Sequence, residues 1–262
     1  RYKNNLFILN QSIKADTLII ATGNLSAPSL GGCGDGLEFA KIFRHNIINS
    51  FPSLVQLTSD MPKLRDISGV RIYSEVSFMD KKIKGDVLFT NYGISGLAIL
   101  DISRFVLEKL QNKSDETIYI DLMPYLAFEE LEALLIKHIK QKENKKISLC
   151  LHGIMNKKII PLILTPLGLR DKTSHQIQNN EIKKIVNRIK KLPFQVNGSK
   201  GYKHAEVATG GVDTKEINPK TLESYKQKKL YFMGEVLDVD GDRGGFNLHF
   251  AWSCALKVAK HL

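Results

Sequence analysis

The chain has 262 residues, 43% of them apolar and 25% charged, with a formal net charge of +11. This balance excludes a disordered chain and supplies enough apolar material for one large or two modest cores. No run approaches the roughly 18–20 uninterrupted apolar residues of a membrane helix, so no membrane partner is expected. Three scattered cysteines, Cys33, Cys150 and Cys254, fit free thiols better than a disulfide framework or a zinc site. With an opening RYKNNLFILN that lacks signal-peptide anatomy, the expected location is the cytoplasm.

Residues 4–23 read as two strands, NLFILN and ADTLIIATG, joined by a short polar turn. The second is nearly continuous in apolar residues, as strands buried on both faces are. A glycine-loaded loop, SLGGCGDG (29–36), leads to a helix over 37–45, and FPSLVQLTS (51–59) closes the first segment. From residue 60 the texture changes. GVRIYSEVSFMD and KGDVLFTNYG alternate in part, as antiparallel strands do, with a turn at Asp80–Lys82. A helix over 95–110 with Ser95 as its N-cap, a strand over 116–124, and helices over 128–142 and 180–191 follow. Strand character returns after Pro193 in FQVNGSKGYKHAEVATGGVD and KLYFMGEVLD, before a last helix from about Gly245. The expected organisation is one α/β domain made from 1–59 and 204–262. It encloses an insert over 60–203 that is strand-rich to about 125 and helical over about 126–192.

The positive charge is concentrated: between Lys137 and Lys203 there are 16 Lys and Arg against three acids. Such a surface can attract nucleic acid or another anionic partner. However, Ile136, Ile139, Ile182, Ile185, Val186 and Ile189 recur at helical spacing among these lysines, the pattern of amphipathic helices with a solvated basic face. No RNP-type aromatic strand, zinc finger or basic arm accompanies them, and the pattern argues against nucleic acid as a partner.

Glycines cluster where apolar strands end, at IIATG (19–23), SLGGCGDG, EVATGGVD (206–213) and the C-terminal GEVLDVDGDRGGFNLHF (234–250). Glycine lets backbone approach a ligand closely, and a helix N-terminus behind such a turn favours anions or electron-rich oxygens. Reversal of the chain is the competing role for each turn. Asp238 and Asp240 read first as caps of their own turn and second as cofactor contacts, while Tyr231, Trp252 and Cys254 read as packing residues.

Phe232 to Gly241, continued by Gly244–Leu248, resembles the C-terminal FAD signature of the BaiN/YhiN-like bacterial flavoproteins, a family that includes aminoacetone oxidases and bile-acid Δ4,6-reductases. Ala21-Thr22-Gly23 with Gly34-Asp35-Gly36, Pro52–Val55, Phe89–Gly96 (with Asn91 where histidine is usual), and Ala205–Val207 with Gly210–Val212 resemble further family motifs in the same order. The resemblance implies an α/β and α+β fold: a two-dinucleotide-binding-type, Rossmann-like FAD domain carrying an inserted β-barrel-like and helical domain. It implies hydride transfer through flavin N5 to or from a small organic substrate, with NAD(P)H as a possible electron donor. The cofactor set it implies is Ala21, Thr22, Gly23, Gly234, Glu235, Asp240, Gly241, Gly244, Gly245, Phe246, Asn247 and Leu248. Glu235 would accept a ribityl or ribose hydroxyl, and the amides of about Gly245–Leu248 would face the electron-accepting edge of the ring. His249 is the candidate for moving a proton.

The strand–GxGxxG–helix unit that opens such folds is not found in the chain, so a truncated form that holds FAD weakly is expected. The segment Phe89–Gly96 is the candidate for an insert loop facing a cleft between domain and insert, against a purely structural turn. The alternative function is a non-catalytic module whose basic insert binds RNA or another anionic partner.

Overall fold

The computed structural model describes residues 2–3, 6–141 and 144–262, and the chain divides into two compact units, residues 1–55 with 200–262, and residues 56–199.

In the first unit, β1 (Tyr2–Lys3), β2 (Leu6–Leu9) and β3 (Ile13–Ala15) form an antiparallel meander. The single long strand expected over 15–23 is shorter: β4 (Leu18–Ile20) ends at Ile20, and 21–24 is extended loop. A helix, α1 (Asp35–Ile42), begins two residues earlier than its apolar pattern suggests, because Gly34 caps it and Gly36 packs against β4. It is followed by β5 (Ile47–Ser53).

The second unit begins with β6 (Leu57–Thr58) and a single helical turn, α2 (Leu64–Ile67). The hairpin β7 (Arg71–Phe78) and β8 (Lys81–Phe89) turns at Met79-Asp80, and strict alternation along both strands buries one face. β9 (Gly93–Ser95) then pairs with both β8 and β6. Ser95 is therefore a strand residue, and Gly96 in place of Ser95 is the N-cap of α3 (Leu97–Leu110). After β10 (Glu116–Asp121) come α4 (Phe128–Lys140), the short α5 (Ile147–Cys150) and α6 (Ile160–Leu164), and α7 (Asn179–Lys190). The apolar spacing is fulfilled in α7, where Ile182, Ile185, Val186 and Ile189 are buried, and in part in α4, where Leu131, Leu135 and Ile139 are buried and Ile136 is half-buried. Lys137, Lys140, Lys183 and Lys184 face outward, whereas Lys190 turns in towards Asp121.

β11 (Leu192–Val196) and β12 (Gly198–Ser199) are nearly one strand, and together they close the sheet. β11 pairs with β10 at one end of the order β11-β10-β7-β8-β9-β6-β12, and β12 pairs with β6 at the other. Asn197 between them donates its amide to Thr58 O at 3.0 Å. Seven short strands thereby form a barrel-like sheet around Val76, Val87, Phe89, Ile94, Ile118 and Phe194, all fully buried.

Back in the first unit, β13 (Val207–Val212) pairs antiparallel with β5, β14 (Leu230–Phe232) pairs parallel with β4, and α8 (Phe246–Ala259) ends the fold. The core joins Phe7, Ile20, Leu37, Ala40, Leu230, Phe232, Val236, Cys254 and Val258. Cys254 and Tyr231 pack as their sequence context suggests. Trp252 does not: it is 64% exposed, because α8 turns Cys254 and Val258 inward and Trp252 lies on the other face with Phe246 and Leu256. No helix among the described residues is long and apolar enough to cross a membrane, and the three cysteines are free.

Candidate functional site

β4 and β14 are parallel neighbours, and the chain leaves both at the same end. Past β4 runs the extended Ala21–Asn24. Past β14, Met233 donates its amide to Ile20 O at 3.1 Å, and the chain then makes a 3-10 turn over Gly234–Val236. Gly23 and Gly234 have φ of 72° and 76°, the left-handed region that glycine enters without strain. A Cβ on Gly234 would stand 3.6 Å from Ala251 Cβ, so this glycine also sets how closely α8 comes to the strand ends.

The result is a cleft of about 380 Å³ lined by Ala21, Gly23, Met233, Gly234, Glu235, Asn247, Leu248 and Ala251, with Glu206 and Val207 at its β13 side. Six of the twelve cofactor residues expected from the sequence therefore line one cavity. The other six stand around it. Thr22 packs on Gly36 of α1. Gly241 donates its amide to Asn247 Oδ1 at 2.7 Å and accepts from Asn247 Nδ2 at 3.0 Å, so Asn247 clamps the loop that leads into α8. Gly244 and Gly245, at φ of 114° and 96°, make the turn, and Gly245 is the N-cap. Phe246 is exposed, and so is His249, which is absent from the cleft lining. No side chain caps α8; its hydrogen-bond ladder starts with His249 N–H to Gly245 O at 2.9 Å, leaving the amides of the first turn as donors at the cleft's edge.

Glu235 sits in the 3-10 turn beyond β14 instead of at a strand end. Its Oε1 accepts from Ser26 Oγ at 2.8 Å and from the Ala208 amide at 2.7 Å. One oxygen thus ties the 21–26 loop to β13, while Oε2 lies 4.0 Å from where a Cβ on Gly23 would stand, on the cleft side. Asn24, fully buried, completes the tie: Nδ2 donates to Gly210 O at 3.0 Å and its Oδ1 accepts from the Leu25 amide. Asn24 and Ser26 were not legible as site residues, since a polar residue after a glycine reads as an ordinary turn.

Asp238 and Asp240 reach across to β13. Asp240 Oδ2 accepts from Thr209 Oγ1 at 3.1 Å, and Asp238 accepts from the Gly210 amide. Burial, with Asp240 nearby, raises the Asp238 carboxyl above its ordinary value, against the lowering effect of the Gly210 bond.

Glycines of the two other clusters hold protein against protein. A Cβ on Gly32 would fall 1.8 Å from Ser26 O, on Gly210 2.4 Å from Asn49 O, and on Gly211 2.7 Å from Val236 O. In the segment Phe89–Gly96, Gly93 lies in β9, where a Cβ would meet Leu57 O at 2.2 Å, and on Gly96 it would meet Asp86 O at 2.2 Å. This segment turns strand into strand and then into helix, a structural role.

An α/β unit interrupted by a barrel-like sheet and a helical array, with a glycine-built cleft past a parallel strand pair, defines the architectural class. Residues 51–207 match the model of the HI0933-like protein barrel and H2TH domain. The chain is 37% identical, over 93% of its length and 60% of the relative's, to a ribosomal RNA dihydrouridine synthase of Haemophilus influenzae. It is 31% identical, over 96% of its length and 62% of the relative's, to a ribosomal RNA dihydrouridine synthase of Escherichia coli. It is 29% identical, over 93% and 61%, to a 3-dehydro-bile acid delta(4,6)-reductase of Clostridium scindens. The chain belongs to the HI0933-like, BaiN/YhiN-like family of flavoproteins. It spans about three fifths of the length of these curated relatives.

Proposed function

We propose that this chain contributes the flavin-facing cleft of an FAD-dependent oxidoreductase that saturates a carbon–carbon double bond conjugated to a carbonyl, with a uracil ring in RNA as the substrate. The relatives' names share one chemistry. Dihydrouridine is uridine with two hydrogens added across the ring double bond beside a carbonyl, and a Δ4,6 bond of a 3-oxo steroid is conjugated in the same way. Two of the three names specify RNA, which suits the surplus of cations in the insert, and this joins the oxidoreductase and RNA-binding readings in one function.

The observation that carries the reading is the cleft between the β4/β14 strand ends and the N-terminus of α8. Its walls fit a flat heteroaromatic group: backbone at Gly23 and Gly234, apolar contact from Met233, Leu248 and Ala251, and one carboxylate oxygen of Glu235 for a hydroxyl. The uncapped amides of α8 offer partial positive charge where electron density would accumulate. Bound FAD would supply the hydride, with NAD(P)H as the source of electrons. This chain's part is to hold the ring edge, orient it through the Asn247-clamped turn and stabilise charge through helix amides.

Titration of the chain with FAD, followed by the visible flavin band and its fluorescence, tests this. Weak but saturable binding is expected, and Leu248→Asp, an exposed change on the cleft wall, should weaken it about tenfold while leaving circular dichroism unchanged. A carboxylate there repels the electron-rich oxygens of the ring edge and cancels the amide field. Absence of any spectral change at saturating FAD, or an L248D variant that binds as well as the parent, would refute the assignment of this cleft.

A further inference from the structure

The outer face of the barrel-like sheet carries a set of side chains that the core does not need. Strict alternation along β7 turns Arg71, Tyr73, Glu75 and Ser77 outward, and register places Lys84 opposite Glu75 and Lys82 opposite Ser77 on β8. On β10, Tyr119 lies opposite Ser77 and Asp121 opposite Glu75.

Tyr73 stacks on Tyr125 from the loop after β10, with ring centroids 5.3 Å apart and planes 16° from parallel. Tyr125 is nonetheless 75% exposed and Tyr73 42%, so the outer ring surface faces solvent. That loop is held firmly. Lys190 Nζ donates to Met123 O at 2.9 Å and Leu126 O at 2.6 Å while pairing with Asp121, whose Oδ1 accepts the Met123 amide at 2.9 Å. The held backbone of this loop presents the Tyr125 ring, stacked on Tyr73, to solvent.

The second aromatic is Tyr119, four strand residues along from Tyr73, about 13 Å at strand rise. Lys191 Nζ stands 4.6 Å from its ring centroid. Beside Tyr119 lies a cleft of about 480 Å³ whose lining includes Lys82, Lys190 and Lys191 together with the carboxylates of Glu75 and Asp121. Glu75 pairs with Lys82 and Lys84 at 3.8 and 3.7 Å, and Asp86, opposite Tyr73, pairs with Arg71 at 3.6 Å; in each pair the cation is the more exposed partner. A strand of phosphates passing over the sheet would meet ammonium groups first.

We propose that this face is a binding platform for single-stranded RNA, with bases stacking on the Tyr73–Tyr125 pair and on Tyr119, and with phosphates meeting Lys82, Lys84 and Lys191. Exposed aromatics interleaved with cations on a sheet match what unpaired bases require: flat surfaces for their faces and charge for the backbone between them. The proposal rests on RNA being the substrate, and it says where an unpaired stretch of that RNA is held.

The test is fluorescence anisotropy of a labelled oligouridylate with the 262-residue chain at low salt. Tyr125→Ala and Tyr73→Ala should each weaken binding about five- to tenfold or more, as loss of a stacked base does, and Tyr125→Phe, which keeps the ring, should retain parental affinity. Lys191→Ala should flatten the slope of log affinity against log salt by about 0.7, one phosphate contact to a single strand. Lys183→Ala, an exposed change on α7, should alter neither affinity nor slope. Parental affinity in both alanine variants, no binding of the oligomer at all, or tighter binding of duplex than of single-stranded RNA overturns the platform. Dihydrouridine formation by the flavin-loaded whole protein is scored separately, so the platform can fail while the substrate assignment stands, and the reverse.

Discussion

Removing the Glu235 side chain tests whether the carboxylate has a structural duty besides meeting a ligand. In Glu235→Ala, Ser26 Oγ and the Ala208 amide lose their acceptor, and both residues are buried, at 5% and 1% exposure. An orphaned buried donor costs about 1–3 kcal/mol, and two would cost about 2–6 kcal/mol. Glu235 itself is only half-buried, so water can reach part of the gap, and the lower half of that range, about 2–4 kcal/mol, is expected. For a unit of this size that corresponds to a fall on the order of 10 °C in its thermal midpoint. Glu235→Gln keeps one acceptor oxygen and should lose less than half as much. Differential scanning calorimetry of the FAD-free chain, resolving one transition per unit, provides the measurement. If Glu235→Ala melts within about 1 °C of the parent in every transition, the carboxylate is not the tie between the 21–26 loop and β13, and the reasoning fails.

Two further perturbations follow from other parts of the fold. The fully buried His45 side chain donates from Nδ1 to Glu216 Oε2 at 2.9 Å and accepts at Nε2 from Ser224 Oγ at 2.7 Å, with Lys226 on the other Glu216 oxygen. Burial pushes its imidazole below the ordinary value despite Glu216, so the folded ring stays neutral while the unfolded ring takes up a proton as pH falls through about 6.5. Stability of this unit should decline from pH 7.5 towards about 5.5, and His45→Gln should flatten that decline in urea melts; an equal slope in both proteins counts against the argument. In the barrel-like sheet, Gly93→Ala forces a Cβ to 2.2 Å from Leu57 O at a φ of 151°, and should cost about 3 kcal/mol or more. Loss of the barrel transition alone in calorimetry is the expected result, and an unchanged melt would refute the close β9–β6 approach.

The local rules of the chain were open to reading from its residues. Isoleucines at helical spacing mark α4 and α7, and the C-terminal glycines and acids carry the family likeness, because periodicity, left-handed turns and motif order are properties of short contiguous stretches. Pairings between distant residues lay beyond that reach. Nothing near Glu235 announces Ser26 and Ala208 as its partners, and nothing near Trp252 announces an exposed face. The tyrosines at 73, 119 and 125 come from two strands and a loop, so no aromatic strand motif exists to be found, and only the β7–β10 register and the Lys190-pinned loop bring them to one surface. Sequence patterning dictates which face of an element is buried. Which elements meet, and hence which polar and aromatic groups become neighbours, is settled only when the chain closes on itself, since that choice depends on packing and hydrogen-bond satisfaction summed over the whole unit.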